Sequence, residues 1–109
     1  NELLAIGTNS IATSAMLKAG ADFGATGENP VVYNCNDADI IIGPIGIIAA
    51  NSFHGEITPK MALAVGESKA KKILIPINKC NVMIMGVQEY SYNDYIQLVV
   101  NEVKNMIVG

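Results

Sequence analysis

The sequence predicts an α/β fold: three layers around a mostly parallel sheet, with an antiparallel strand at one edge. Short apolar runs ending in glycine alternate with stretches of helical periodicity, the pattern of successive βα units. Two such runs echo each other, Leu4-Ala5-Ile6-Gly7 and Ile40-Ile41-Ile42-Gly43, each followed by a helix signal. Asn78-Lys79-Cys80-Asn81 is too short for a crossover, so the strand it feeds pairs antiparallel.

In order, Leu3 to Ile6 reads as a buried strand turned by Gly7-Thr8-Asn9. Ile11, Ala12, Ala15, Met16 and Ala19 then recur at helical spacing, with Asn9 or Ser10 as N-cap and Gly20 as the stop. Ala21 to Ala25 is a weaker strand, followed by the loop Thr26-Gly27-Glu28-Asn29. Asn29 before Pro30 pairs a cap with a first-turn proline, so Pro30 to Asn36 reads as a short helix; a strand over Val31 to Tyr33 competes. Asp39 to Gly43 is the clearest buried strand. Gly43-Pro44-Ile45-Gly46 breaks it, and Ile47 to Asn51 starts a helix. Ser52 to Ile57 is irregular, and Thr58-Pro59 opens a helix to Glu67. Lys72 to Ile77 is a strand, and Val82 to Val87 is the antiparallel edge. Ser91 with Asp94 resembles a capping box, after which Tyr92, Tyr95, Ile96, Val99, Val103, Met106 and Ile107 form one apolar helical face. With right-handed crossovers these elements make a three-layer, Rossmann-like sheet.

The 109 residues make one domain, and half of them are hydrophobic, enough for a core. The domain reads as N-terminally incomplete, because the chain opens at Asn1 almost directly on a strand. A net charge of −3 disfavours nucleic acid and anionic membranes as partners. All seven basic residues are lysines, so no guanidinium fork is present to clamp a phosphate or carboxylate. Cys35 and Cys80 have no metal-type spacing, and free thiols in a reducing cytoplasm are the expectation. The longest apolar stretch, Ile40 to Ala50, is interrupted by Gly43, Pro44 and Gly46 and is too short to span a membrane; no signal peptide is legible. High apolar content in a small domain favours a homodimer.

In a parallel sheet every strand-to-helix loop falls at the carboxyl edge, where open α/β sheets bind ligands. Helix N-termini meet there with free N–H groups and partial positive charge. The expected ligand-binding set is Gly7, Thr8 and Asn9; Thr26, Gly27, Glu28 and Asn29; Gly43, Pro44, Ile45 and Gly46; Thr58; and Asn78 with Lys79. The geometry suits a small-molecule anion or a nucleotide as ligand or cofactor. Glu56, on the loop Ser52 to Thr58, is the candidate for proton transfer. The plainer reading competes at each position: the glycines make tight turns, and Asn9, Asn29 and Thr58 cap helices. His54, the single histidine, is a general base or a solvated loop side chain. Lys79 is an anion ligand or a group lowering the pKa of Cys80. Lys69, Lys71, Lys72, Asp37 and Asp39 fall at the opposite edge. No Walker loop, serine–histidine set, zinc pattern or complete dinucleotide fingerprint is present, and no metal site is expected. The alternative to a ligand-binding protein or enzyme is a non-catalytic regulatory or scaffold protein acting as a homo-oligomer.

Residues 4–86 resemble an uncharacterised family of short bacterial proteins defined only as a domain of unknown function. The resemblance lies in Ala5-Ile6-Gly7-Thr8-Asn9, Ala12-Thr13-Ser14-Ala15-Met16-Leu17-Lys18-Ala19-Gly20-Ala21 and Ala25-Thr26-Gly27-Glu28-Asn29. It continues through Ala38-Asp39-Ile40-Ile41-Ile42-Gly43-Pro44-Ile45-Gly46-Ile47, Gly55-Glu56-Ile57-Thr58-Pro59-Lys60-Met61 and Lys72-Ile73-Leu74-Ile75-Pro76. It implies kinship and no activity. It also implies a further strand and glycine-rich turn ahead of this sequence, like the first unit of a dinucleotide-binding fold. In that frame Thr8 and Asn9 follow the second strand, where an acidic residue would favour the ribose of NAD and neutral residues do not.

Overall fold

The computed structural model describes residues 1–77 and 82–108. In chain order it contains β1 (Leu4–Gly7), α1 (Ser10–Lys18), β2 (Phe23–Thr26), α2 (Glu28–Asn34), β3 (Ile40–Pro44), a 3-10 turn (Ile45–Ile48), α3 (Pro59–Glu67), β4 (Lys71–Ile75) and α4 (Tyr92–Val108). The mixed α/β class is as expected. The sheet is not continuous. β1 pairs with β2 in parallel, Leu4 opposite Phe23 through Gly7 opposite Thr26. β3 pairs with β4 in parallel, Ile40 opposite Lys71 through Pro44 opposite Ile75. These are two separate two-stranded sheets. α1 packs on β1 and β2, α2 packs on β2 and α3, and α3 packs on the 3-10 turn. The buried cluster is Ile57, Met61 and Ala62, with Val31, Ile47 and Phe53 against it.

Local chemistry explains the boundaries. Asn9 is the N-cap of α1, its Oδ1 accepting from Ala12 N at 2.9 Å. Thr58 caps α3, with Pro59 in the first turn; its Oγ1 accepts from Met61 N at 3.2 Å while Met61 Sδ accepts from Thr58 N at 3.5 Å. Ser91 Oγ accepts from Asp94 N at 3.2 Å and starts α4.

Several expectations need correction. α2 starts at Glu28 rather than Pro30, with Gly27 as N-cap at φ 98°, a conformation glycine adopts without penalty. Pro30 sits inside the first turn, where its missing N–H costs no helical bond. The competing strand at Val31 to Tyr33 is therefore helix. Ile47 to Asn51 does not open an α-helix; the 3-10 turn ends at Ile48 because Ala49 is extended, at φ −112° and ψ 117°. Val82 to Val87 forms no strand. Residues 82–84 are irregular and 85–86 form a turn, with Gly86 at φ 78° breaking the extended run. Every strand pairing among the described residues is parallel. The connection Asn78 to Asn81 lies outside the described residues.

Candidate functional site

Side-chain hydrogen bonds tie the turn after β1 to its neighbours. Thr13, buried on α1, is its hub. Its Oγ1 accepts from Gly7 N at 3.2 Å, and lies 3.2 Å from Asn9 O, 3.1 Å from Ala25 O and 2.8 Å from Thr26 Oγ1. One hydroxyl thus ties the ends of β1 and β2 to the start of α1. Gly7 is required by proximity. A Cβ there would lie 2.4 Å from Thr13 Oγ1 and 2.6 Å from Thr13 N.

Two carboxylates close the rim from the far side of the sequence. Thr8 Oγ1 donates to Glu56 Oε1 at 2.5 Å, and Asn9 Nδ2 donates to the same oxygen at 3.5 Å. Thr58 Oγ1 donates to Glu28 Oε2 at 2.5 Å. Glu56 therefore joins the β1 exit to the loop before α3, and Glu28 joins the β2 exit to the α3 cap. Among the described residues the hydrogen-bond partners of both carboxylates are hydroxyls and an amide rather than cations.

The loop that delivers Glu56 is strained. Asn51, Phe53 and His54 have φ of 67°, 57° and 55°, and Gly55 has 89°. A bulky residue in this left-handed region is uncommon, and the cost is roughly 1–3 kcal/mol per residue. Backbone bonds hold it: Asn51 N donates to Ile57 O at 2.6 Å, Ile57 N to Ser52 O at 3.1 Å, and Gly55 N to Asn51 O at 3.0 Å. Phe53 and Ser52 also press on Gly46, where a Cβ would stand 3.2 Å from the Phe53 ring. The side chains of Ile57 and Phe53 anchor the loop in the core while Glu56 stays exposed.

Thr8, Asn9, Glu28, Glu56 and Thr58 are brought together by these bonds. Thr26, Gly27 and Asn29 lie at the start of α2, with Thr26 bonded to the Thr13 hub. Gly43 and Pro44 end β3, and Ile45 and Gly46 form the 3-10 turn beyond it. Asn78, Lys79 and Cys80 lie outside the described residues. His54 is exposed. At the opposite edge Lys71 N donates to Asp39 O at 3.0 Å, so the starts of β3 and β4 meet there, and the side chains of Asp39, Lys69 and Lys71 are exposed. Among the described residues no group of three metal-ligating side chains converges. Cys35 is buried away from the rim, and burial pushes its thiol above the ordinary 9.0 against an opposing pull from the Lys72 cation.

Thr13 is the residue the sequence reading missed. Its signal was present: a threonine four residues after the Asn9 cap, on the helix face that also carries Met16 and Leu17.

The fold and rim define an α/β protein with polar side chains gathered where parallel strands end. Residues 1–108 match DUF3842, a domain of unknown function, and the chain belongs to that family. No curated protein and no solved structure matches it. No helix among the described residues is long and apolar enough to cross a membrane.

Proposed function

We propose that the rim binds a nucleotide or a small phosphorylated metabolite. The observation that carries this is the cross-bonding of Thr8 and Asn9 to Glu56 and of Thr58 to Glu28, over 48, 47 and 30 residues of sequence. Caps and turns alone do not need such bonds. The N-termini of α1 and α3 offer free N–H groups to a phosphate. The carboxylates suit hydroxyls: Glu56 Oε2 and Glu28 Oε1 accept no hydrogen bond among the described residues. A ligand carrying both a phosphate and a sugar satisfies both halves, so a nucleotide fits better than a bare phosphorylated acid. Lys79 would add the cation, and Glu56 would be the proton-transfer group of any reaction. The same reading takes the two parallel pairs as halves of one three-layer, Rossmann-like sheet in a cytoplasmic protein. A thermal-shift screen against nucleotides and phosphorylated acids tests it. Nucleotides should raise the melting temperature, and Glu56→Gln with Thr8→Val should abolish the rise. No shift with any member of the screen sinks the reading.

A second reading is favoured by α4. Tyr92, Ile96, Leu98, Val100 and Ile107 are exposed along it, and its Tyr95 packs edge-on against Tyr90 at 5.6 Å. A homo-oligomeric regulatory or scaffold protein would bury such a helix between copies. Sedimentation equilibrium separates the readings, since only this one requires Ile96→Lys to dissociate a dimer.

A further inference from the structure

A hollow separate from the rim lies between α2 and α3. The two helices run in the same direction. Thr58 Oγ1 donates to Glu28 Oε2 where they start, and Ser68 Oγ donates to Cys35 O at 2.7 Å where they end. Bonds at both ends thus fix the spacing of the pair. Between them Cys35 and Ala64 are too small to fill the space, and a cavity of about 450 Å³ remains. That volume falls within the roughly 300–1,000 Å³ of small-molecule sites.

Its lining divides by chemistry. Val32 and Cys35 on α2, with Leu63 and Ala64 on α3, are apolar. Leu63 is 60% exposed, so an apolar occupant covers surface that the chain itself leaves open. Burial holds the Cys35 thiol above its ordinary 9.0, so the floor is uncharged near neutral pH. The polar lining is cationic on balance. Lys60 and Lys69 line the cavity and Lys72 lies close enough to act on Cys35, against Glu67 as the one lining carboxylate among the described residues. Three of the seven lysines therefore gather at one hollow in a chain of net charge −3. Helix carboxyl ends by themselves draw cations, but carbonyls of these two ends already have donors. Asn34 Nδ2 donates to Pro30 O at 2.8 Å, Ser68 Oγ takes Cys35 O, and Lys72 Nζ donates to Ser68 O at 2.7 Å. Lys72 is thereby tied to the backbone, while the exposed Lys60 and Lys69 meet an incoming charge.

We propose that this cavity binds a small organic acid with a compact branched or aromatic body. The body lies against Val32, Leu63 and Ala64 over the Cys35 floor. The carboxylate is met by the ammonium groups of Lys60 and Lys69, with the Asn36 amide as a further donor. Glu67 disfavours a second negative charge, and no arginine is present to hold a phosphate by two parallel bonds. Both select a monocarboxylate over a phosphorylated ligand, so the cavity and the rim take different molecules.

The probe is phenylbutyrate, with its neutral amide and the cationic phenylbutylamine as matched controls, each added to the 109-residue chain. Amide shifts followed by NMR should saturate with the acid at Val32, Cys35, Leu63 and Ala64 and leave Thr8 and Thr13 in place. The neutral amide should bind at least tenfold more weakly, and the amine should not bind. Lys60→Gln combined with Lys69→Gln should weaken the acid at least tenfold without lowering the melting temperature of the free chain, because both side chains are exposed. Ala64→Phe should fill the cavity and block the acid. Equal affinity for all three probes, shifts confined to the β1 turn or to α4, undiminished binding by the double lysine variant, or no saturable shift with the acid would overturn the proposal.

Discussion

Thr13 does more than any other single side chain to shape the β1 turn. A valine of the same shape would leave the buried Gly7 N–H without its acceptor. An unsatisfied buried donor costs about 1–3 kcal/mol. Thr13→Val should therefore lose about that much stability in chemical denaturation, and Thr13→Ser should recover most of it. Glycine at position 7 was legible as a turn, but the reason for it was not. The sequence offers a glycine after a strand; only the fold shows Thr13 Oγ1 within 2.4 Å of where a Cβ would stand. Cys35 carries the pH prediction. Its thiol is held above 9.0 by burial, so the folded state keeps a proton that the unfolded state loses as pH rises through 9.0. Above that pH the unfolded chain binds fewer protons, and stability falls with rising pH. Below it the contribution is fully present. The difference in unfolding free energy between the parent and Cys35→Ala, followed from pH 8 upward, should shrink as this contribution is lost, and a flat difference would exclude it.

At the scale of elements, caps were the most readable feature. Asn9, Thr58 and Ser91 start helices as their residue types predict, because a side-chain oxygen before an apolar run satisfies a free N–H. Gly27 escaped the same logic. Asn29 before Pro30 is an equally good cap signal, and the choice was made by Gly27 at φ 98°. The final strand failed for a related reason: Gly86 takes a left-handed turn inside a run that reads as extended. Thr58 has two duties that can be separated. It accepts from Met61 N as a cap and donates to Glu28 across the rim. Thr58→Ala should cost about 1–2 kcal/mol, the usual loss of a cap with an added share from Glu28. In Glu28→Gln the cap remains, so the same measurement should show a smaller loss. A double-mutant cycle should return a coupling near the rim share alone.

For the whole molecule, alternation of strands and helices gave the α/β class. What stayed illegible was strand order, because each strand pairs with one distant in sequence, Leu4 with Phe23 and Ile40 with Lys71, and similar apolar runs present similar edges to several partners. The large surface this fold leaves exposed has a thermodynamic signature. Urea acts in proportion to the surface exposed on unfolding. An unfolded chain of this mass exposes about 16,700 Å², so a folded state at 7529 Å² gains less surface on unfolding than one near the expected 5,800 Å². The urea m-value of the isolated chain should accordingly lie about a sixth below that of an ordinary domain of its length. A ligand at the rim would raise the midpoint and leave m nearly unchanged, since it covers little of the chain's apolar surface. Urea titrations with and without nucleotide, read for slope as well as midpoint, check both expectations.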